Sequence, residues 1–306
     1  MDTVEESDGL KDLQAPLKAF KKTKGFFIGI DSDGCAFDAM EIKHKECFVP
    51  NFIKHFKLQP IAKMAREAFE FVNLYSRSRG SNRWLAVKEV LDLLRERAEV
   101  KARGFVVPAW TGLTRFIESG CTLSNDGLRD FIGKAADPGI VNDLLTMYDW
   151  TRAVNDSVAD IVKGVPPFPF VRECIAKASA KADLMVVSAT PTEALIREWE
   201  EHGLAGSMAI IAGQEMGKKE EHLAIAAADK YPSDHILMVG DALGDYRAAK
   251  KVKALFYPIN PGAEDGSWER LFKEGLDRFF GGTFAGDYEA RLLAEFEACL
   301  PVTPPW

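Results

Sequence analysis

Three carboxylates follow an apolar run near the start of the chain, in the stretch GFFIGIDSDGCAFDAM at residues 25–40. The run FFIGI predicts a buried strand. Asp31, Asp33 and Asp38 come after it, and like charges crowded at the mouth of a buried strand raise one another's pKa. The segment predicts either a chemical site or a simple turn, in which Asp33-Gly34 bends the chain and Asp38 caps the next helix.

Polar side chains also follow later apolar runs. Ser188 ends the run DLMVVS, Asp241 and Asp245 follow HILMVG, and Lys218 and Lys219 begin the helix-like segment before that last run. Ligands of open parallel sheets bind at the carboxyl ends of the strands. Each residue has a simpler interpretation as a cap, a turn or a solvated helix start. Together, however, these carboxylates, hydroxyl and ammonium groups favour a site for a phosphate with a divalent metal such as Mg²⁺, which prefers oxygen ligands.

The elements that must position these residues form two patterns. From about residue 164 onward, short apolar strands alternate with helices, and the opening strand belongs with them. This pattern predicts the α/β class, with a Rossmann-like parallel sheet core covered by helices on both faces, formed by residues 20–40 and 164–306. Residues 41–163 are helix-like throughout and predict an inserted all-helical domain. One of its helices, SNRWLAVKEVLDLLRERAEV, has Ser81 as its candidate N-cap.

Composition narrows the class of protein. The 306 residues carry a net charge of −7, which argues against nucleic acid as the main partner. No apolar run is long enough to predict a membrane span. The five cysteines contain no C-x-x-C pair, so neither a disulfide framework nor a zinc site is expected. Together with the acidic, polar start MDTVEESDGLKDLQ, which does not have the pattern of a signal or transit peptide, these features predict a cytoplasmic protein.

Four short motifs resemble those of one protein family. DSDGCAFD resembles the first motif of the haloacid dehalogenase-like (HAD) hydrolases, VVSAT the second, GKKEEHL the third and VGDALGD the fourth, in the family's order. The resemblance covers about residues 24–40 and 164–260. The helical insertion is similar only in position and character to the cap that follows the first motif in the phosphatase branch of the family.

The resemblance implies a catalytic role for each matched residue. Asp31 is expected to be the nucleophile that forms an aspartyl-phosphate, and Asp33 the general acid and base. Ser188 is expected to donate to a phosphoryl oxygen. Lys219 or its neighbour Lys218 is expected to neutralise the charge of the nucleophile and the phosphate. Lys219 is favoured, because the lysine of the family usually precedes a buried leucine by four residues, here Leu223.

The resemblance also implies Mg²⁺ as the cofactor. Its expected ligands are Asp31, Asp241, Asp245 and, through its backbone carbonyl, Asp33. The implied function is hydrolysis of a small soluble organophosphate, either a sugar phosphate or a phosphorylated organic acid. A phosphomutase with the same core chemistry and a non-catalytic module that binds a phosphometabolite both remain alternatives. In each case the expected partner is a small phosphorylated metabolite.

Cys35 stands where the family commonly has threonine. A thiol nucleophile is one interpretation of this residue. No histidine lies near Cys35 in the sequence, so a packed small residue is favoured.

The segment YSRSRGSNRW, residues 75–84, is the densest cluster of cationic donors in the helical insertion. Arg77, Arg79 and Arg83 surround Gly80 at a helix start. Arginine suits bidentate recognition of carboxylate or phosphate. Arg79 or Arg83 is therefore predicted to contact the anionic or polyhydroxyl part of the substrate. The alternative is a solvated basic loop.

Overall fold

A five-stranded sheet lies at the centre of the fold. The computed structural model describes residues 12–306, and the first part of the N-terminal segment considered above lies outside the described residues. The strands, in the spatial order β3-β2-β1-β4-β5, all run parallel. They are β1 (Phe26–Ile30), β2 (Ala182–Val187), β3 (Ile210–Ala212), β4 (Ile236–Gly240) and β5 (Leu255–Pro258). The direction of strand order reverses beside β1, so the carboxyl end of β1 lies at the switch point where ligands bind in such sheets.

Both faces of the sheet are apolar and both are covered. Ile28 and Ile30 point into the core on one face, and Phe27, Met185 and Val187 point into the core on the other. Successive residues of a strand face opposite sides, and a strand buried on both faces reads as a continuous apolar run. The predicted α/β class with a helix-covered parallel sheet is confirmed.

Helices account for most of the remaining chain. The α-helices within residues 12–306 are α1 (Ala15–Ala19), α2 (Ala39–Ile42), α3 (Val49–His55), α4 (Ala62–Leu74), α5 (Arg83–Glu96), α6 (Ala98–Ala102), α7 (Thr111–Glu118), α8 (Asn125–Ile132), α9 (Pro138–Ile161), α10 (Val171–Ser179), α11 (Thr192–Glu201), α12 (Lys219–Leu223), α13 (Leu243–Lys251), α14 (Glu264–Arg270), α15 (Leu276–Phe280) and α16 (Asp287–Ala298). Helices α1 and α10–α16 contribute to the two clusters that cover the sheet. None of the described helices has the length and apolar character needed to cross a membrane.

Helices α3–α9 pack around an apolar cluster of their own. Phe52, Phe69, Trp84 and Trp150 are at its centre and are almost fully buried. This cluster is separate from the two that cover the sheet. The division into a core of residues 20–40 plus 164–306 and an inserted domain of residues 41–163 stays a prediction.

Helix α5 begins one residue later than predicted. Its N-cap is Asn82, whose side-chain oxygen accepts a hydrogen bond from the Trp84 N–H at 3.0 Å. Ser81 precedes this cap. Asparagine and serine are about equally good N-caps, so residue type alone does not separate the two positions.

Helices α2 and α3 join through a wider turn. Residues Lys43–Phe48 are wound as a π-helix between them. Pro50 lies at the start of α3 and has no N–H to donate to the preceding turn. Because that hydrogen bond is missing, the turn before Pro50 can widen. Turns of this kind occur often at functional sites, and this one carries Lys43 and His44 toward the carboxyl end of β1.

Candidate active site

Asp31 lies at the tip of the central strand, held by backbone contacts. Its N–H donates to the Val239 carbonyl of β4 at 3.0 Å, and one of its carboxylate oxygens accepts from the Ser32 N–H at 2.8 Å. The chain then turns at Gly34, where φ is +75°. A Cβ on Gly34 would lie 2.5 Å from the Arg79 guanidinium and 2.8 Å from Asp241, so only glycine fits this turn.

Lys219 joins two of the predicted site carboxylates. Its ammonium lies 2.7 Å from Asp31 Oδ2 and 2.6 Å from Asp245 Oδ1. The second oxygen of Asp245 accepts from the Ala242 N–H at 3.1 Å, which fixes the carboxylate at the start of α13. Lys218 is exposed. Of the two candidate lysines, the favoured Lys219 is therefore the one that contacts the site carboxylates.

The environment of Asp31 opposes the loss of its proton more than water would. Burial raises the pKa of Asp31 well above its ordinary value, Lys219 opposes this shift, and the Asp245 and Asp241 carboxylates add to it. A divalent cation beside these carboxylates would reverse that balance.

Three buried acids are placed so that they could share a metal ion. One carboxylate oxygen from each of Asp31, Asp241 and Asp245 lies within 4.8 Å of the others. Asp241 Oδ1 is buried and has no hydrogen-bond partner among the described residues. A buried anionic oxygen without a partner is costly. The all-oxygen donor set and this open oxygen fit Mg²⁺.

The Asp33 side chain points away from the three clustered acids. Its Oδ1 lies 2.5 Å from the Lys43 ammonium, and its Oδ2 accepts from the Thr190 hydroxyl at 2.7 Å. Burial raises the pKa of Asp33, but Lys43 and Thr190 outweigh it, and the net shift is downward. The prediction was that Asp33 binds the metal through its backbone carbonyl. A side chain that contacts Lys43 and Thr190 is compatible with that prediction.

Sequence reasoning missed Lys43 and Thr190. Lys43 lies on the π-helical turn before Pro50. The proline inside a helical sequence pattern was the available signal that the helix is irregular at this point. Thr190 comes two residues after Ser188, in the loop that follows β2. It was visible only as part of a matched motif.

Ser188 lies where predicted, at the end of β2. It is buried, its N–H donates to the Ala212 carbonyl of β3 at 3.0 Å, and its hydroxyl accepts from the Thr190 N–H at 3.2 Å. Its hydroxyl hydrogen remains available to a ligand. Ser188 and the four site residues Asp31, Asp33, Lys219 and Asp241 line one cavity of about 620 Å³. The predicted catalytic and metal-binding residues are thus brought together.

The two arginines predicted to contact substrate have different placements. Arg79 is only 4% exposed, and its Nε lies 2.6 Å from Asp241 Oδ2. Its remaining donors reach the carbonyls of Leu74 at 2.9 Å and Gly34 at 3.3 Å. Arg79 is therefore not available to a substrate in this conformation. Arg83 does line the cavity, and the prediction of substrate contact depends on it alone.

Replacement of Arg79 tests its role as a counter-ion of Asp241. We expect Arg79→Gln to lower the free energy of unfolding of the metal-free protein by about 3 kcal/mol or more, because it leaves a buried carboxylate unpaired. Added Mg²⁺ should recover part of this loss. Urea unfolding in chelator and in Mg²⁺ measures both effects. Arg77→Gln, which removes an exposed arginine 3.7 Å from Glu297, should change stability by less than about 1 kcal/mol. Equal effects of the two substitutions would contradict this role.

Cys35 is a packed residue in the structure. It is fully buried, and its thiol lies 3.7 Å from the Val239 carbonyl, which accepts a weak hydrogen bond from it. Burial raises its pKa, and the nearby Asp241 and Asp31 carboxylates add to the effect. A thiol in this environment is a poor nucleophile, in agreement with the favoured interpretation of the sequence.

Comparisons with known proteins found similar chains only among solved structures. No protein-family model and no curated protein sequence matches the chain. Among solved structures, it is similar to a candidate phosphoglycolate phosphatase from Lactobacillus delbrueckii subsp. bulgaricus (17% identity, 84% of this chain and 98% of that chain covered, TM-score 0.46). It is also similar to a haloacid dehalogenase-like family hydrolase from Xanthomonas campestris (11% identity, 92% and 96% covered, TM-score 0.40). A third similar structure is a phosphonoacetaldehyde hydrolase-like protein from Oleispira antarctica (13% identity, 90% and 88% covered, TM-score 0.46).

Proposed function

We propose that the chain is a HAD-like, Mg²⁺-dependent phosphatase that hydrolyses a small soluble organophosphate through an aspartyl-phosphate on Asp31. The observation that carries this proposal is the Lys219 ammonium, which bridges Asp31 and Asp245 at the switch point of the sheet. The same cavity is lined by the Ser188 hydroxyl and by Asp241, whose buried Oδ1 has no hydrogen-bond partner within residues 12–306; both residues follow strand ends. A nucleophile, a cation and hydroxyl donors around one cavity are the groups that phosphoryl transfer needs.

In the first step, a carboxylate oxygen of Asp31 attacks the phosphorus atom and the bond from phosphorus to the ester oxygen breaks. The ester oxygen leaves as an alcohol by taking the proton of Asp33. Lys219 and Ser188 stabilise the negative charge on the transferring group. Asp33 must carry a proton for this step, whereas the charge of Lys43 lowers its pKa. We therefore expect the contact between Asp33 and Lys43 to loosen when a substrate enters.

In the second step, a water molecule attacks the same phosphorus atom. Asp33, now a carboxylate, takes a proton from the water as the bond between phosphorus and Asp31 breaks. Inorganic phosphate leaves, Asp31 is regenerated, and Asp33 carries the proton for the next cycle. Between the two steps Asp33 is a carboxylate, and it can then again accept from Thr190 and pair with Lys43 as it does in this structure.

Asp31, Asp241 and Asp245 would hold the Mg²⁺ ion, together with the backbone carbonyl of Asp33. When bound, Mg²⁺ supplies positive charge that keeps Asp31 ionised and offsets the charge of the phosphoryl group.

Metal dependence tests the proposed function. We expect no hydrolysis of an aryl phosphate in excess chelator and full recovery when Mg²⁺ is added. Mg²⁺ should also raise the melting temperature, because an ion that binds only the folded state stabilises it. Asp241→Asn should weaken both responses, whereas Asp234→Asn, which replaces an exposed acid outside the three-acid cluster, should change neither. Hydrolysis that continues undiminished in chelator would contradict the proposal.

A further inference from the structure

The cleft beside Asp33 has two lobes that share a wall. One lobe, of about 620 Å³, contains the carboxylate cluster, and a second, of about 590 Å³, extends away from it. Asp33, His44 and Arg83 line both lobes, and Asn155 and Arg197 line only the second. We call this second cavity the distal lobe. A phosphate ester with its phosphorus at Asp31 would place its alcohol portion past Asp33, in the distal lobe.

The uncompensated charges of the distal lobe are positive. Within residues 12–306, neither Arg83 nor Arg197 forms an ion pair. The two acids of the lobe each have a basic partner, since Asp33 is paired with Lys43 at 2.5 Å and Asp126 lies 2.7 Å from a neighbouring arginine. A cavity with this balance of charge suits an anionic group on the ligand.

Arg83 is the guanidinium that most needs such a ligand. It is half-buried, and its Nη1 donates only to neutral oxygens, at 2.5 Å to the Thr151 hydroxyl and at 3.1 Å to the Asn155 side chain. Its Cζ lies 5.2 Å from the centre of the Phe48 ring. Burial lowers the pKa of Arg83 to about 10. Desolvation of a cation without a carboxylate partner is costly, and an anionic ligand would offset that cost.

His44 provides a second, independent observation. Its side chain lines both lobes and is only 8% exposed, yet its Nδ1 has no hydrogen-bond partner among the described residues. Burial lowers the pKa of His44 to about 3, and the Arg79 and Lys43 charges add to this shift. The ring is therefore neutral. A buried polar atom without a partner is uncommon. A polar ligand in the cleft would supply the hydrogen bond that His44 Nδ1 lacks among the described residues.

We propose that the substrate is a phosphate monoester whose alcohol portion carries a second anionic group, bound in the distal lobe by Arg83 with His44 beside it. The guanidinium can pair with two oxygens of a carboxylate or of a second phosphate. This inference rests on the proposed phosphatase function and deepens it. An ester with only hydroxyl groups would leave Arg83 without a counter-ion.

A pair of matched substrates tests the proposal. Glycerate phosphorylated at its terminal hydroxyl differs from glycerol phosphate only in a carboxylate that replaces a hydroxymethyl group. Glycerol bisphosphate keeps that hydroxymethyl group and carries a second phosphate on its oxygen. We expect wild-type kcat/KM to favour one or both of the doubly anionic esters. Arg83→Gln should reduce this preference by about 10- to 100-fold, the range for hydrogen bonds to a charged group. The preference is a ratio within one variant, so a partly unfolded preparation does not alter it.

The controls separate this inference from the proposed function. Arg77→Gln, in the same loop but outside both lobes, should keep the wild-type preference. Arg83→Lys should keep part of the preference, because lysine retains the positive charge but lacks the paired N–H donors of the guanidinium. Calorimetric binding of the three esters to the Asp31→Asn variant gives the same comparison without turnover. Equal affinities there, or a preference unchanged by Arg83→Gln, would overturn the inference. If phosphoglycerate binds more tightly but no ester is hydrolysed by the wild type, the proposed function fails while the anion site stands.

Discussion

Asp31→Asn should abolish turnover while the protein remains folded. The amide has nearly the shape of the carboxylate and keeps an oxygen to accept from the Ser32 N–H, but it cannot attack phosphorus. We expect kcat to fall by ~10⁴-fold or more, as for loss of a nucleophile in other covalent enzymes. Hydrolysis of an aryl phosphate at saturating Mg²⁺ measures the loss, and thermal unfolding verifies the fold.

Asp38→Asn is the matched control for this substitution. Asp38 belongs to the same acidic stretch but is exposed and lies outside the three-acid cluster. It should retain wild-type turnover within about twofold. Substantial activity in Asp31→Asn, or an equal loss in both variants, would remove Asp31 from its proposed role.

Asp33→Asn should slow turnover by ~10²- to 10⁴-fold, the usual contribution of general acid–base catalysis. The loss should be larger for an alkyl phosphate than for a nitrophenyl phosphate, because a nitrophenolate leaves without a proton. Rates for both esters, measured at one Mg²⁺ concentration, give the comparison.

Thr190→Val separates proton transfer from the orientation of Asp33. It removes one hydrogen bond to that carboxylate but leaves the acid in place, so we expect a loss of less than about 10-fold. If Asp33→Asn leaves the rate with the alkyl ester unchanged, another residue delivers the proton. Glu198, which lies outside the three-acid cluster and whose pKa is raised by burial to about 7, would then be the first residue to replace.

The sheet and the strand-end residues could be predicted because both follow from local sequence. A strand buried on two faces is a continuous apolar run, and Asp31, Ser188 and Asp241 each follow directly at the end of such a run. Parallel pairing then places these ends at one edge of the sheet. No long-range information was needed beyond the order of the elements.

The contacts between the helical insertion and the strand ends could not be predicted in the same way. Lys43 meets Asp33 only because the helical turn before Pro50 directs it back over β1. Arg79 and Arg83 are equivalent in sequence, both cationic and near one helix start. The loop geometry separates them, since the positive φ of +74° at Gly80 and its close approach to Ala242 place Arg79 against Asp241.

The covalent intermediate is the most direct test of the central claim that Asp31 is the nucleophile. Rapid acid quench of the enzyme during turnover, followed by borohydride reduction and peptide mass spectrometry, converts an aspartyl-phosphate to homoserine at the modified position. We expect homoserine at residue 31, dependent on Mg²⁺ and on substrate and absent from Asp31→Asn. Rapid turnover with no modification at Asp31 under conditions that trap acyl phosphates, or modification at another residue, would contradict it.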